Sequence, residues 1–382
     1  MDDKIIHMKK NWIFSLVFLI LMGVGAFAAY RFWPGIKPVV LPPPSVDMPL
    51  QLPDGFSIEI FADGIPNARA MRFDERGNMW VSATRSNTVW LLEIENGAVV
   101  RKTPMFQNLQ RPHGLAFDPK NPFTLYIAEE HQIVRTCVYC DDSSPEKIID
   151  LPPSGRHFTR TLGFGPDNKL YISIGSSCDV CEEPDPRYAA IYKMNRDGSE
   201  FELVADGLRN AVFFTWHPKT DALWATEMGR DRLGDDLPPD EVNIIEAGKN
   251  YGWPICYGKQ IHDTNFDKNQ YIRDPCEDTE PSHIDLQAHS APLGLAFIPN
   301  SDDVLIAYHG SWNRTVPTGY KIVRAELDAA GNFIRMHDFI TGWLTEDNRA
   351  LGRPVDLIFH EGALYISDDK AGLLYKVSFP AA

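Results

Sequence analysis

A short apolar segment closing on a large aromatic residue, a polar turn and a second apolar segment recur along this chain. The unit appears first as Met71-Arg72-Phe73 with Met79-Trp80-Val81, then as Leu115-Ala116-Phe117 with Leu125-Tyr126-Ile127. Leu162-Gly163-Phe164 with Leu170-Tyr171-Ile172 is the third copy, and Phe214-Thr215-Trp216 with Leu223-Trp224-Ala225 the fourth. The fifth pairs Leu295-Ala296-Phe297 with Val304-Leu305-Ile306, and the last pairs Leu357-Ile358-Phe359 with Leu364-Tyr365-Ile366. Asp, Gly, Asn and Pro fill the turns between them, the residues that tight hairpins need. Six in-phase copies predict an all-β, six-bladed β-propeller rather than a sandwich with unrelated hairpins. The segment Phe56-Ser57-Ile58-Glu59-Ile60 is expected to pair into the last blade and close the ring, which removes exposed strand edges. Longer gaps after the fourth and fifth copies predict loop insertions at 228–281 and 310–352.

The propeller is assigned to residues 52–380. Ahead of it, Lys9 and Lys10 precede an uncharged run from Asn11 to Tyr30, with Arg31-Phe32-Trp33 behind. One reading is a secretory signal peptide cleaved near Ala26-Phe27-Ala28. The other is an uncleaved anchor, since about 20 apolar residues suffice to cross a bilayer. The length of the run and its aromatic flank favour the anchor. Residues 1–31 are therefore read as signal anchor or signal peptide, and 32–51 as a Pro-rich tether. Both readings export the propeller to the periplasm, and the anchor would hold it at the inner membrane.

Lys and Arg number 37 against 52 Asp and Glu, a net charge of −15. A surface this acidic argues against nucleic-acid binding, which needs positive charge to displace counterions. Against that background, the residues just ahead of each blade's first strand are cationic or polar. They are Arg69; Arg111 and His113; His157 and Arg160; Arg209 and Asn210; His289 and Ser290; and Arg353. First strands line a propeller's channel, so these residues are expected to gather at one mouth and to take a compact polyanion through bidentate Arg contacts. The stretch from Glu227 to Glu241 interleaves carboxylates with Gly and Pro, offering hard oxygen ligands to Ca²⁺, with a solvated acidic loop as the plain alternative. Six cysteines fall as Cys137 and Cys140, Cys178 and Cys181, Cys256 and Cys276. In an exported chain they predict three local disulfides rather than a zinc site. There is no C-x-x-C-H, P-loop, G-x-S-x-G or G-x-G-x-x-G, so covalent haem, nucleoside phosphates and α/β-hydrolase chemistry find no support.

Several stretches resemble a known family: Arg111 to Phe117, His157 to Glu182, Gly207-Leu208-Arg209-Asn210, Gly229 to Glu241 followed by Asn250-Tyr251-Gly252-Trp253-Pro254, His309 to Arg314, Gly352 to Asp356, and Ser367-Asp368-Asp369. Over residues 52–379 they resemble the pyrroloquinoline quinone (PQQ)-dependent sugar dehydrogenases. The L-sorbosone/pyranose dehydrogenase branch is the more similar; soluble glucose dehydrogenase and aldose sugar dehydrogenase are more distant. The resemblance implies that His157 is the general base on the sugar's anomeric hydroxyl. It implies that Arg209 and Asn210 contact the quinone and its carboxylates, Arg209 within the catalytic centre, and that Arg314 and Arg353 are cationic cofactor contacts, with Met228 beside them. It implies that Gly229 and Arg230 hold a Ca²⁺ through backbone carbonyls, and that Asp240 and Glu241 are the acidic pair beside that metal loop. The chain departs from the glucose dehydrogenases at Arg230, where they carry Pro, at Arg314, where Lys is usual, and at Val355, where they carry Arg. The expected activity is a periplasmic PQQ- and Ca²⁺-dependent oxidation of an aldose, pyranose or sorbosone-like sugar. Electrons would leave to a separate quinone or cytochrome. The alternatives are a Ca²⁺-dependent lactonase or esterase on the same fold, and a non-catalytic binding propeller.

Overall fold

The structure, a computed structural model, describes residues 49–153 and 155–380. The apolar run read as signal or anchor, and most of the Pro-rich tether, lie outside the described residues. No helix among the described residues is long and apolar enough to cross a membrane. Six sheets of at least four strands account for the six repeats. The one helical element among the described residues is a 3-10 turn, Thr84–Ser86.

The phase of the repeat is the register of the blades. In each blade the marker aromatic lies at or one residue before the end of the first strand, opposite the residue that opens the second apolar segment. The pairs are Phe73↔Met79, Phe117↔Leu125, Phe164↔Leu170, Trp216↔Leu223, Phe297↔Val304 and Phe359↔Leu364. Second strands are buried on both faces between neighbouring blades, and their large side chains, such as Trp80, Tyr126 and Trp224, are among the most deeply buried in the protein. Hydroxyls on these strands tie one blade to the next. Ser82 Oγ donates to His113 O (2.7 Å), Thr226 Oγ1 to Leu293 O (2.7 Å), and Ser367 Oγ to Arg69 O (2.6 Å). Near the axis the first strands come so close that a side chain has no room: a Cβ on Gly114 would lie 2.3 Å from Arg160 O, and one on Gly294 2.5 Å from Val355 O.

The strand Ser57–Ala62 pairs antiparallel with Leu373–Ser378, the third strand of the sixth blade. The expected insertions need correction. The middle of 310–352 is blade, because Lys321–Leu327 and Phe333–Ile340 are the third and fourth strands of the fifth blade. Within 228–281, Asp240–Ile245 is the third strand of the fourth blade, whose fourth strand is Ile284–Leu286. The true excursion, 246–283, contains the small hairpin Cys256–Tyr257 with Ile261–His262 and adds Lys249–Asn250 to the edge of the third blade. All six cysteines are paired as Cys137–Cys140, Cys178–Cys181 and Cys256–Cys276, which leaves no thiolate for zinc.

Candidate active site

In an antiparallel hairpin the start of the first strand lies beside the end of the second. Residues from both places surround a cavity of about 400 Å³ at one mouth of the channel. His157, Arg209, Asn210 and Arg353 come from ahead of first strands, and Arg69 from the start of one. Arg85, Met228, His309 and Asp369 come from the ends of second strands, and Asp231 and Trp312 from loops beyond.

His157 is half-buried, with its Nδ1 2.8 Å from Ser176 Oγ and 3.2 Å from Ser176 O. The Ser176 hydroxyl has one proton, and its own acceptor is Cys178 O at 2.7 Å. Both contacts therefore require a proton on Nδ1, and Nε2 keeps its lone pair with no partner among the described residues. Burial, then the charges of Arg209 and Arg156, press its pKa well below the ordinary imidazole value. Gly175 is what lets His157 and Asn210 approach: a Cβ there would lie 2.4 Å from Asn210 Oδ1 and 2.7 Å from His157 Cβ. His113, the other candidate base, is fully buried. Its Nε2 accepts from Arg69 Nε (3.3 Å) and its Nδ1 bonds Thr161 Oγ1 (3.3 Å), so it is a structural histidine.

The guanidiniums divide into neutralised and unneutralised groups. Arg69 pairs with Asp369 (3.2 Å), and Arg156 with Asp231 (2.6 Å). Arg209 is saturated: Nε donates to Asp179 O (2.8 Å), Nη1 to Met228 O (3.1 Å) and Gly229 O (2.9 Å), and Nη2 to Asp179 Oδ1 (2.8 Å), with Asp231 Oδ2 at 3.5 Å. Arg353 donates only to the carbonyls of His309 (2.9 Å) and Gly310. Arg85 makes no hydrogen bond or ion pair among the described residues. Two cations thus stand in the cavity without a carboxylate of their own. Asn210 adds an orphan, since its Oδ1 is buried without a partner.

His309 Nε2 meets Asp369 Oδ1 at 2.9 Å. Burial outweighs that carboxylate and pushes the His309 pKa down to about 4. Burial also works against the Asp369 anion, yet the His309 N–H and the guanidiniums of Arg69 and Arg353 hold its carboxyl below the ordinary range.

The loop after the fourth blade's second strand departs from expectation. Gly229 O and Met228 O both accept from Arg209, so one of the two carbonyls expected to hold a metal, that of Gly229, carries a guanidinium contact here. The Arg230 side chain pairs with Asp263 (2.7 Å). Arg314, expected at the cofactor, donates instead to Asp235 O and pairs with Asp236 (3.1 Å), outside the cavity lining. Asp240 and Glu241 are neighbours on a strand and so face opposite ways. Asp240 accepts from Gly229 N (2.9 Å), Ala291 N (2.9 Å) and Ser290 Oγ (3.2 Å), which pins the loop to the fifth blade. Glu241 accepts from Gly258 N (2.7 Å) and Asn243 Nδ2 (2.9 Å). Burial pushes Asp240 up to about 6 and Glu241 up to about 7, and raises Glu227 well above the carboxylate range. Glu227 Oε2 is buried without a partner, and Glu227 and Glu241 line a second cavity of about 20 Å³ with Asp263 and Trp253.

Half of the residues expected at the mouth are elsewhere. Arg111 is exposed and pairs with Glu130 (2.9 Å). Arg160 is buried against the carbonyls of Glu130, Thr159 and Pro152. His289 bonds Gly234 O (2.9 Å), and Ser290 bonds Asp240.

The pyrroloquinoline quinone-dependent pyranose dehydrogenase of Coprinopsis cinerea is 25% identical over 396 residues, covering 85% of this chain and 54% of that enzyme. The chain thus spans about half the length of that dehydrogenase. An uncharacterized protein of Borreliella burgdorferi is 30% identical over 373 residues, covering 90% of this chain and 94% of that protein. The calcium structure of the Trichoderma reesei Carbohydrate-Active Enzymes Family AA12 protein superposes with a TM-score of 0.76 at 22% identity, covering 87% of this chain and 98% of that one. That likeness carries the propeller fold. The family described as TrAA12-like matches residues 50–379, all six blades, and the chain belongs to that family.

Proposed function

We propose that this protein is a PQQ-dependent dehydrogenase of an aldose, pyranose or sorbosone-like sugar. The observation that carries the reading is the convergence, in one cavity, of a base with a single free ring nitrogen and of two guanidiniums without carboxylate partners. A compact polycarboxylate supplies the missing charge, through charge-assisted bonds to Arg353 and Arg85. Arg69, shared with Asp369, is the third cation in reach of such a ligand. The buried Asn210 amide, next to His157, offers the polar edge for its ring substituents. When bound, PQQ supplies the two-electron acceptor for the hydride of the anomeric carbon. His157 Nε2 takes the anomeric hydroxyl's proton, and the Nδ1–H bond to Ser176 holds the ring in the tautomer that leaves Nε2 basic. Desolvation of the ring, then the Arg209 and Arg156 charges, disfavour a second proton on it, which keeps the base in its neutral form.

A quinone-polarising Ca²⁺ on the Gly229 carbonyl would share that oxygen with the Arg209 guanidinium, a like-charged neighbour, and no step is routed through a metal. A Ca²⁺ fits the smaller cavity better, where Glu227 and Glu241 present buried carboxyl groups and Glu227 Oε2 lacks a partner. Its contribution there would be structural, holding the loop that carries Met228 and Gly229. A lactonase would need a channel metal held by Glu, Asn and Asp, whereas this mouth is lined by Arg and His. Three disulfides and no free cysteine support export to an oxidising compartment such as the periplasm. The electron acceptor is proposed to be a separate quinone or cytochrome.

Titrating PQQ into the cofactor-free protein tests the cavity directly. Arg353→Ala should weaken binding about ten- to hundredfold, the loss of one charge-assisted bond worth about 1.5–3 kcal/mol. Arg111→Ala, outside the cavity, should not. No binding to the native protein, or equal losses in both variants, would overturn the reading.

A further inference from the structure

His157 and Arg209 come from different blades, yet one short segment after the third blade's second strand holds both. Ser176 takes the His157 Nδ1 proton and passes its own to Cys178 O (2.7 Å). The next residue, Asp179, accepts Arg209 Nε on its carbonyl (2.8 Å) and Arg209 Nη2 on Oδ1 (2.8 Å). The same Oδ1 accepts Asp231 N (3.0 Å), which fixes the carboxylate that Arg156 and Arg209 share. Behind them, Ser177 donates twice to Glu183, from N (2.8 Å) and from Oγ (2.5 Å). The Cys178–Cys181 disulfide closes this segment across a separation of 3 residues. Residues 178–181 are all partly exposed, so apart from the bridge only the hydrogen bonds to Cys178 O and Asp179 O restrain their carbonyls. With the bridge, Cys178 O and Asp179 O stay aimed inward.

We propose that the Cys178–Cys181 bridge, acting through Ser176 and Asp179, is the positioning device of this site: it fixes the His157 tautomer and the Arg209 guanidinium together. Its effect on turnover rests on the dehydrogenase reading above; its effect on the imidazole does not. The bridge touches no reacting atom. It acts by keeping two side chains within the narrow geometry that proton and hydride transfer require.

The chain contains its own control. Cys137–Cys140 closes a loop of the same separation, 3 residues, at the end of the second blade's third strand, away from the cavity lining. Any loss of stability common to opening such a loop appears in both bridges, whereas loss of positioning appears in one. The experiment compares Cys178→Ser/Cys181→Ser with Cys137→Ser/Cys140→Ser. It measures melting temperature, kcat and KM of the PQQ-loaded enzyme, and the ¹⁵N shifts of the His157 imidazole in cofactor-free protein. Native His157 should show a protonated Nδ1 and an unprotonated Nε2. In Cys178→Ser/Cys181→Ser the two shifts should move toward a tautomer average, and kcat should fall about tenfold or more while KM changes about twofold or less. The Cys137→Ser/Cys140→Ser protein should keep native shifts and native kcat. Should the first double variant not fold, Ser176→Ala and Asp179→Asn carry the comparison. Ser176→Ala should disturb the His157 tautomer, and Asp179→Asn should lower kcat with the tautomer intact. Native shifts in the Cys178→Ser/Cys181→Ser protein, or equal kcat losses from both bridges, would overturn the proposal. A native protein that oxidises no sugar with PQQ would sink the dehydrogenase reading alone, and the nitrogen shifts would still decide this one.

Discussion

Gly175 is the position where the packing of the site can be tested with a single methyl group. An alanine Cβ there would lie 2.4 Å from Asn210 Oδ1 and 2.7 Å from His157 Cβ, distances at which one neighbour must move. Neither neighbour is a flexible tip in open space. Asn210 is buried, with its backbone N–H held by Glu227 Oε1 at 2.9 Å, and His157 is held by Ser176. Overpacking of this kind costs about 1–3 kcal/mol of stability. A catalytic group displaced by about 1 Å can lose on the order of 10²-fold in rate. Gly175→Ala should therefore fold, melt a few degrees lower, and turn over about 10²-fold more slowly. Gly163→Ala is the matched control. Its Cβ would crowd the Trp216 ring at 2.9 Å, at the other mouth of the channel, so it should lose comparable stability and keep turnover. Melting curves and steady-state rates on the two reconstituted variants decide the matter. Full activity in Gly175→Ala, or equal rate losses in both, would refute the claim that Gly175 exists to bring the base and the amide together.

His157→Ala should retain PQQ and lose about 10²–10⁴-fold in turnover, the usual worth of a positioned base; His113→Ala should lower stability and spare the chemistry, and the reverse pattern would contradict the assignment. In cofactor-free protein His157 should titrate below 6.5. The unfolded chain takes up that proton near 6.5 while the folded one resists it, so His157's contribution to stability is present above 6.5 and lost as pH falls. An NMR midpoint at or above 6.5 would count against its burial beside Arg209 and Arg156. Removing Cys256–Cys276, which spans a separation of 20 residues, should cost about 3 kcal/mol and weaken Ca²⁺ binding at the small cavity that Cys256 lines, with the blades' circular dichroism unchanged. Ca²⁺ affinity equal to the native protein's would place the ion elsewhere.

The blades were legible because the marker aromatic does a geometrical job: it stands opposite the first residue of the second apolar segment in all six copies, so its phase is the register. The mouth was legible only in part. A fixed offset ahead of a strand says which end of the channel a residue occupies, not which way its side chain turns. Arg111 and His289 adopt left-handed backbone, at φ 48° and 62°, and lead away from the cavity, while Arg160 is already on its strand and buried between blades. The residues missed share one signal. Arg85, Ser176, His309 and Asp369 all lie just past the end of a second strand, and hairpin geometry brings that point beside the start of the first. Reading both ends of each hairpin would have found them. The Arg209 cage of Asp179, Met228 O and Gly229 O could not be read, because it joins a loop of the third blade to one of the fourth largely through carbonyls that no side-chain pattern encodes.

The central claim, that this cavity binds PQQ and passes a sugar's electrons to it, is tested most directly by the absorbance of the reconstituted protein. Purified protein is loaded with one equivalent of PQQ and offered a panel of aldoses, pyranoses and sorbosone without an external acceptor. The account predicts that at least one sugar converts the quinone spectrum to that of the reduced form, that a dye acceptor restores it, and that the conversion is lost in His157→Ala although PQQ remains bound. Tight binding of PQQ with a spectrum that no sugar changes, or reduction at the native rate in His157→Ala, would contradict it.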